Sequence, residues 1–308
     1  SSDDYRALAV SQTKVQKVIS KLRPHIDSIP VRFYKNRTKT AFSPANIPFS
    51  DIVDRINEIN PDIVNLQWIC GGLIKIEDLL KIKAPIIWTL HDMWAFTGGC
   101  HYDENCFGYE KTCGNCPVLG SNKVNDLSKK IFNRKQKTFN QLKDMRIVTV
   151  SNWLTNCTKK STLLGNHKSM TIPNPLNTNK YKIYDKNETR RLWNLPKNKK
   201  LVLFGAIGGS KDFRKGYKEL KESLHKLKNK DIEFVVFGSS EPEESENLGF
   251  KTHYLGHLHD DVSLITLYNS VDVMIVPSLQ EAFGQTASEA MSCGVPVVAF
   301  GATGLLDI

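Results

Sequence analysis

Nine short apolar runs, each bracketed by charged or turn-forming residues, set the rhythm of this 308-residue chain. They fall at 62–68, 85–91, 146–150 and 169–173 in the first half, and at 200–205, 232–238, 253–255, 272–277 and 295–300 in the second. Asp272-Val273-Met274-Ile275-Val276-Pro277 is a continuous apolar run ended by a proline, the pattern of a buried strand in a parallel sheet. Between the runs apolar residues recur at helical spacing, as Leu220, Leu224 and Leu227 do, and as Leu127, Ile131, Phe132, Phe139 and Leu142 do. Strands alternating with helices predict an α/β chain with parallel sheets. Pro173-Asn174-Pro175-Leu176-Asn177-Thr178-Asn179-Lys180 interrupts the alternation and reads as a linker. It divides the chain into domains 1–173 and 174–308.

Composition narrows the class only slightly. With 40% hydrophobic residues there is material for two ordinary cores. No apolar run approaches the roughly 18 residues that cross a bilayer, so the chain reads as soluble or peripheral. A net charge of +10 suits an anionic partner, whether nucleic acid, acidic lipid or phosphorylated substrate. Segment 123–143 carries seven basic residues against one acidic, Asp126. It predicts an amphipathic helix that either lies on an anionic membrane or packs its apolar side inward beneath a solvated cationic face. The chain opens at Ser1-Ser2-Asp3 without an initiator methionine, its first 60 residues hold no strand followed by a glycine-rich turn, and it stops at Asp307-Ile308. A partial chain with an incomplete first domain is therefore expected.

Candidate chemistry is densest between Pro277 and Ala299. Here a buried strand ends at Pro277, a helix runs from Gly284 to Cys293, and Gly294 and Pro296 stop it before the next strand. In open α/β sheets ligands sit beyond the carboxyl ends of strands, where amides at a helix start attract phosphate. Phe283, Gly284, Gln285 and Thr286 thus form a candidate diphosphate seat, with Gly284 admitting close backbone approach. Glu281 precedes the seat and Glu289 lies inside the helix, so the two could accept hydroxyl hydrogen bonds at opposite ends of one ligand, sugar near Glu281 and ribose near Glu289. An exposed acidic pair on an ordinary crossover helix has the same spacing. The flanking Pro277-Ser278, Glu289-Ala290-Met291 and Cys293-Gly294 pieces favour the ligand site.

A second anion-binding turn follows 200–205, where Gly208, Gly209, Lys211, Arg214 and Lys215 precede Gly216. In the first domain the strand at 85–91 ends in His91 and Asp92, with the carboxylate able to orient the imidazole. Cys100, Cys106, Cys113 and Cys116 fall within seventeen residues. Cys113 and Cys116 have knuckle spacing, and Cys100 with Cys106, or His101 in place of one thiolate, could complete a structural zinc shell. Reduced thiols without metal, or two disulfides, fit the same spacing.

The Glu281-x7-Glu289 turn resembles the Glu-x7-Glu signature of the retaining glycosyltransferases of family 4, whose GT-B architecture has two facing Rossmann-like domains with parallel sheets and an inter-domain cleft. His91-Asp92-Met93-Trp94, the Phe96-Thr97-Gly98-Gly99-Cys100 run and the Cys113-Gly114-Asn115-Cys116-Pro117 segment look like a bacterial subgroup that builds capsule, lipopolysaccharide O-chain or exopolysaccharide. The resemblance covers nearly the whole chain. It implies a hexosyltransferase-type enzyme that moves a sugar from a UDP- or GDP-linked donor to a glycan or lipid-linked acceptor with retention. It implies a cytoplasmic enzyme at the inner face of the membrane, without nucleic-acid partner or catalytic cofactor. His91, Lys215 and Glu281 would surround the transferred sugar, with His91 facing the cleft; Gly208, Gly209, Lys211, Arg214, Lys215, Phe283, Gly284, Gln285, Thr286 and Glu289 would hold the donor. Ser151 and Asn174 match common family positions. The family's arginine after the first strand of the donor domain falls here among Gly208, Gly209 and Ser210, so Lys211, Arg214 or backbone amides would replace it. No Asp-x-Asp motif occurs, which puts the leaving diphosphate's charge on Lys215 and helix N-termini. A sugar-nucleotide epimerase on the same fold and a zinc-stapled nucleic-acid-binding protein are the competing readings.

Overall fold

The computed structural model describes residues 14–47, 51–205, 212–227, 231–238 and 249–308. Gly208, Gly209 and Lys211 lie outside them. The chain forms two compact units, Ser1–Ile172 and Pro173–Ile308.

The first unit holds a four-stranded sheet of β1 (Val64–Leu66), β2 (Ile86–Leu90), β3 (Met145–Thr149) and β4 (Ser169–Thr171), in that order and all parallel. Its helices are α1 (Lys14–Asp27), α2 (Ile29–Arg32), α3 (Ile52–Ile59), α4 (Leu127–Phe139) and α5 (Asn152–Lys160). The α4 helix starts where the Asp126 carboxylate accepts the Lys129 amide and the Ser128 hydroxyl, and its apolar side is turned into the core. Phe139 meets Trp88 of β2 edge-on at 5.8 Å. With Ile131, Phe132 and Phe139 all buried, this helix has no apolar face to lay on a membrane, and of the two readings of segment 123–143 the core-packed one holds.

The second unit contains α6 (Lys186–Leu192), β5 (Lys200–Gly205), α7 (Tyr217–Leu224), β6 (Ile232–Phe237), β7 (Thr252–Tyr254), α8 (Asp261–Tyr268), β8 (Val273–Val276), α9 (Gln285–Ser292) and β9 (Val297–Ala299). Its sheet is parallel throughout, in the order β7-β6-β5-β8-β9. The unalternating β5 sequence is explained by its two covered faces. Leu201 and Leu203 join a cluster with Tyr268, Met274 and Ala290, whereas Val202 and Phe204 join one with Leu220 and Leu224 of α7. Burial of a strand on both sides is what makes every position apolar.

No described helix is long and apolar enough to cross a membrane.

Candidate functional site

The order of the second sheet reverses between β5 and β8: from β5 the chain winds outward through β6 and β7, then returns to lay β8 on the other side. Loops leaving such neighbours diverge and open a crevice at the carboxyl ends. A cavity of about 60 Å³ lies there, lined by Gly205, Lys215, Pro277, Ser278, Glu281 and Thr286 among others.

Two turns form its walls and are stitched together by the backbone. The Leu279 amide donates to the Arg214 carbonyl at 2.7 Å. Gly216, at φ 63°, passes so close beneath Pro277 that a Cβ would collide with the Pro277 carbonyl oxygen. That approach brings Lys215 Nζ to 2.6 Å from Glu281 Oε2, joining the two sequence-predicted turns. Arg214 donates to Asp212 Oδ2 at 2.6 Å, and Asp212 also caps the short turn by accepting the Arg214 amide. The Glu281 backbone is pinned from the far side: its amide donates to Thr303 Oγ1 at 3.1 Å and its carbonyl accepts from Gly304 at 2.9 Å.

The rest of the predicted seat divides. Thr286 lines the cavity, whereas Phe283 is buried. Gly284, at φ 103°, makes room for the protein's own Leu305 and Ile308 side chains, which a Cβ would meet at 2.6 and 2.8 Å. Glu289 is 8% exposed and does not share the cavity lining. Its Oε2 accepts from the Tyr268 hydroxyl at 2.8 Å and its carboxylate from Gln285; burial pushes its pKa up against those hydrogen bonds. Thr303 and Tyr268 were not singled out in the sequence. Ser278 lay within the motif, but the roles of Thr303 and Tyr268 depend on tertiary contacts that no spacing encodes.

In the first unit, His91 is exposed beyond β2, with Nε2 2.7 Å from Gln67 Oε1. Asp92 does not orient it. Its Oδ2 pairs with His101 Nδ1 at 2.7 Å and its Oδ1 accepts the Trp94 amide. Ser151 is a buried N-cap of α5, accepting the Leu154 amide at 3.1 Å. Asn174 is half-buried in the linker.

The four clustered cysteines are free thiols. Cys100 and Cys116 are buried in an apolar cluster with Val118 and Leu119, and Cys106 is exposed. Burial raises the thiols of Cys100, Cys113 and Cys116, Cys113 to about 12 and Cys116 to about 11. Among the described residues no three His, Cys, Asp or Glu side chains stand together in a metal-holding group.

Residues 185–308 match the family described as Glycosyl transferases group 1. The uncharacterized glycosyltransferase MJ1607 of Methanocaldococcus jannaschii is 33% identical over 39% of this chain and 32% of its own length. WcaC of Escherichia coli, provisionally named a colanic acid biosynthesis glycosyl transferase, is 25% identical over 71% of this chain and 52% of its own. The chain thus spans about a third of the first of these relatives and about half of the second. Among solved structures, sucrose-phosphate synthase from Thermosynechococcus elongatus superposes with a TM-score of 0.58 at 19% identity, covering 82% of this chain and 59% of that one. Anabaena HepE in complex with UDP and glucose gives 0.54 at 16%, covering 84% and 65%. These likenesses establish the fold as GT-B, with two Rossmann-like domains.

Proposed function

We propose that this chain carries the donor-binding part of a retaining, nucleotide-sugar-dependent glycosyltransferase that builds a bacterial surface polysaccharide. The Lys215–Glu281 pair carries the reading: a cation and an acid brought together at 2.6 Å, where β5 and β8 part. The family match across residues 185–308 and the relative named for colanic acid support it. The HepE complex with UDP and glucose supports a UDP-linked donor.

In this reading the donor's diphosphate takes Lys215 Nζ away from Glu281. The ammonium then faces the phosphate oxygens, where charge grows as the bond to the anomeric carbon breaks. Amides at the start of α9, at Gln285 and Thr286, add fixed positive dipoles. Glu281, released from its ion pair, accepts hydrogen bonds from sugar hydroxyls, and Glu289 with Gln285 takes the ribose. Arg214 completes the anion seat. No side chain is assigned as catalytic base; attack from the face the leaving phosphate occupies gives retention. The acceptor is a glycan or lipid-linked glycan.

A thermal-shift panel of UDP, GDP and their hexose conjugates tests the reading. A ligand at 100 times its Kd stabilises the native state by about 2.7 kcal/mol, a shift of several degrees. Lys215→Ala and Glu289→Gln should each remove the response, the latter keeping an acceptor for Tyr268. Parent-like responses from both variants would refute the assignment.

A further inference from the structure

Trp68 stands just past β1 and is 53% exposed, yet its indole is held in place. One face lies against the His101 ring, with centroids 5.9 Å apart and planes within 29°. Its benzo edge sits over Gly71, whose φ of 65° brings the backbone so near that a Cβ would touch Cη2 at 3.4 Å. His101 is fixed at both nitrogens, Nδ1 by Asp92 Oδ2 at 2.7 Å and Nε2 by Ser43 Oγ at 3.0 Å, and it is 6% exposed. The surface under the indole therefore cannot rotate away, and the other face remains in water.

Neutral hydrogen-bonding groups adjoin this rigid face. Gln67 Oε1 is paired with His91 Nε2 at 2.7 Å. Gln67 Nε2 and Thr89 Oγ1 both donate to Asn65 Oδ1, each at 3.1 Å. The side chains of Asn65, Gln67 and His91 are exposed at the same carboxyl edge of the sheet. Gln67, Trp68, His91 and Asp92 also line one shallow hollow. Scattered surface aromatics need no explanation. A locked aromatic beside a row of neutral donors and acceptors has a specific chemical complement: a flat molecule with one apolar face and a hydroxylated rim. A pyranose ring is such a molecule, presenting axial C–H groups to the indole and equatorial hydroxyls to Gln67 and His91.

We propose that Trp68, with Gln67 and His91, is a pyranose platform that seats the acceptor sugar. The word acceptor rests on the glycosyl-transfer reading above; binding of a pyranose at Trp68 does not.

The full chain would be titrated with methyl α- and β-glycosides of glucose, galactose, mannose and N-acetylglucosamine, using saturation-transfer NMR and tryptophan fluorescence, with UDP in separate samples. At least one glycoside should bind the parent, with saturation concentrated on the C–H protons of one ring face. Trp68→Leu keeps apolar bulk but removes the aromatic face, and should weaken that glycoside roughly five- to tenfold. Trp68→Phe should retain the NMR response within about threefold while losing the fluorescence change, and UDP responses should be equal in all three proteins. The proposal fails if no glycoside of the panel binds the parent, or if the leucine variant binds as the parent does. Glycoside binding that depends on Trp68 in a chain that ignores every nucleotide would overturn the donor reading and leave the platform standing.

Discussion

At Gly216 the need for glycine is steric as well as conformational. A left-handed φ and contact with the Pro277 carbonyl act at one position, so Gly216→Ala must move either the turn bearing Lys215 or the end of β8. A cost of about 2 kcal/mol or more is expected, together with loss of the nucleotide-induced shift; chemical denaturation and the ligand panel would measure the two. Lys135 presents a different problem. It is fully buried on α4, donates to the Trp94 and Thr97 carbonyls, and lies 3.6 Å from the centre of the Trp94 ring. Burial pushes its pKa down from 10.5 to about 7. Between those values the unfolded chain binds a proton that the native one lacks, so this residue makes stability rise with pH above about 7. Below that window the cost of the buried charge is fully present. Lys135→Met should therefore lose stability relative to the parent as pH is raised from 7 to 8.5, by ~1.4 kcal/mol per unit at most. Parallel stability curves across that range would show that the amine is not perturbed.

Elements are held by partners that lie outside their own sequence windows. Asp126 accepts from Ser128 and Lys129 at the start of α4, and its other oxygen accepts from the Cys116 amide at 2.9 Å, so one buried carboxylate joins the helix to the cysteine loop. Loss of a cap alone costs about 1 kcal/mol, but orphaning a buried loop amide as well should bring Asp126→Ala to about 2–3 kcal/mol. Urea denaturation would show it, and a cost below half a kcal/mol would mean the loop is held by other contacts. Periodicity had allowed α4 either a membrane or a core, because a 3.6-residue repeat specifies a face and not what covers it. Trp88 opposite Phe139 decides that choice. The helix after Phe283 shows the same division. Its start and stop were plain from Gly284, Gly294 and Pro296, whereas the inward turn of Glu289 toward Tyr268 follows from how α9 packs on α8.

For the molecule as a whole, each of the nine apolar runs overlaps one of the nine described strands, and in β5 the run is unbroken because a strand covered on both sides is apolar along its length. The amino-acid sequence by itself determined the α/β class, the strand positions, and the two turns bearing Lys215 and Glu281. These are local properties, set by turn chemistry and short-range burial. Tertiary structure alone decided strand order, and with it the switch between β5 and β8 that makes the two turns into one site. It also decided that Asp92 serves His101 and not its neighbour His91, that Cys100 and Cys116 are buried in an apolar cluster, and that the Trp68 ring stacks on His101. Each of these depends on residues distant in the chain meeting at a few ångströms, and a one-dimensional pattern records which residues are available for such meetings without recording which of them occur.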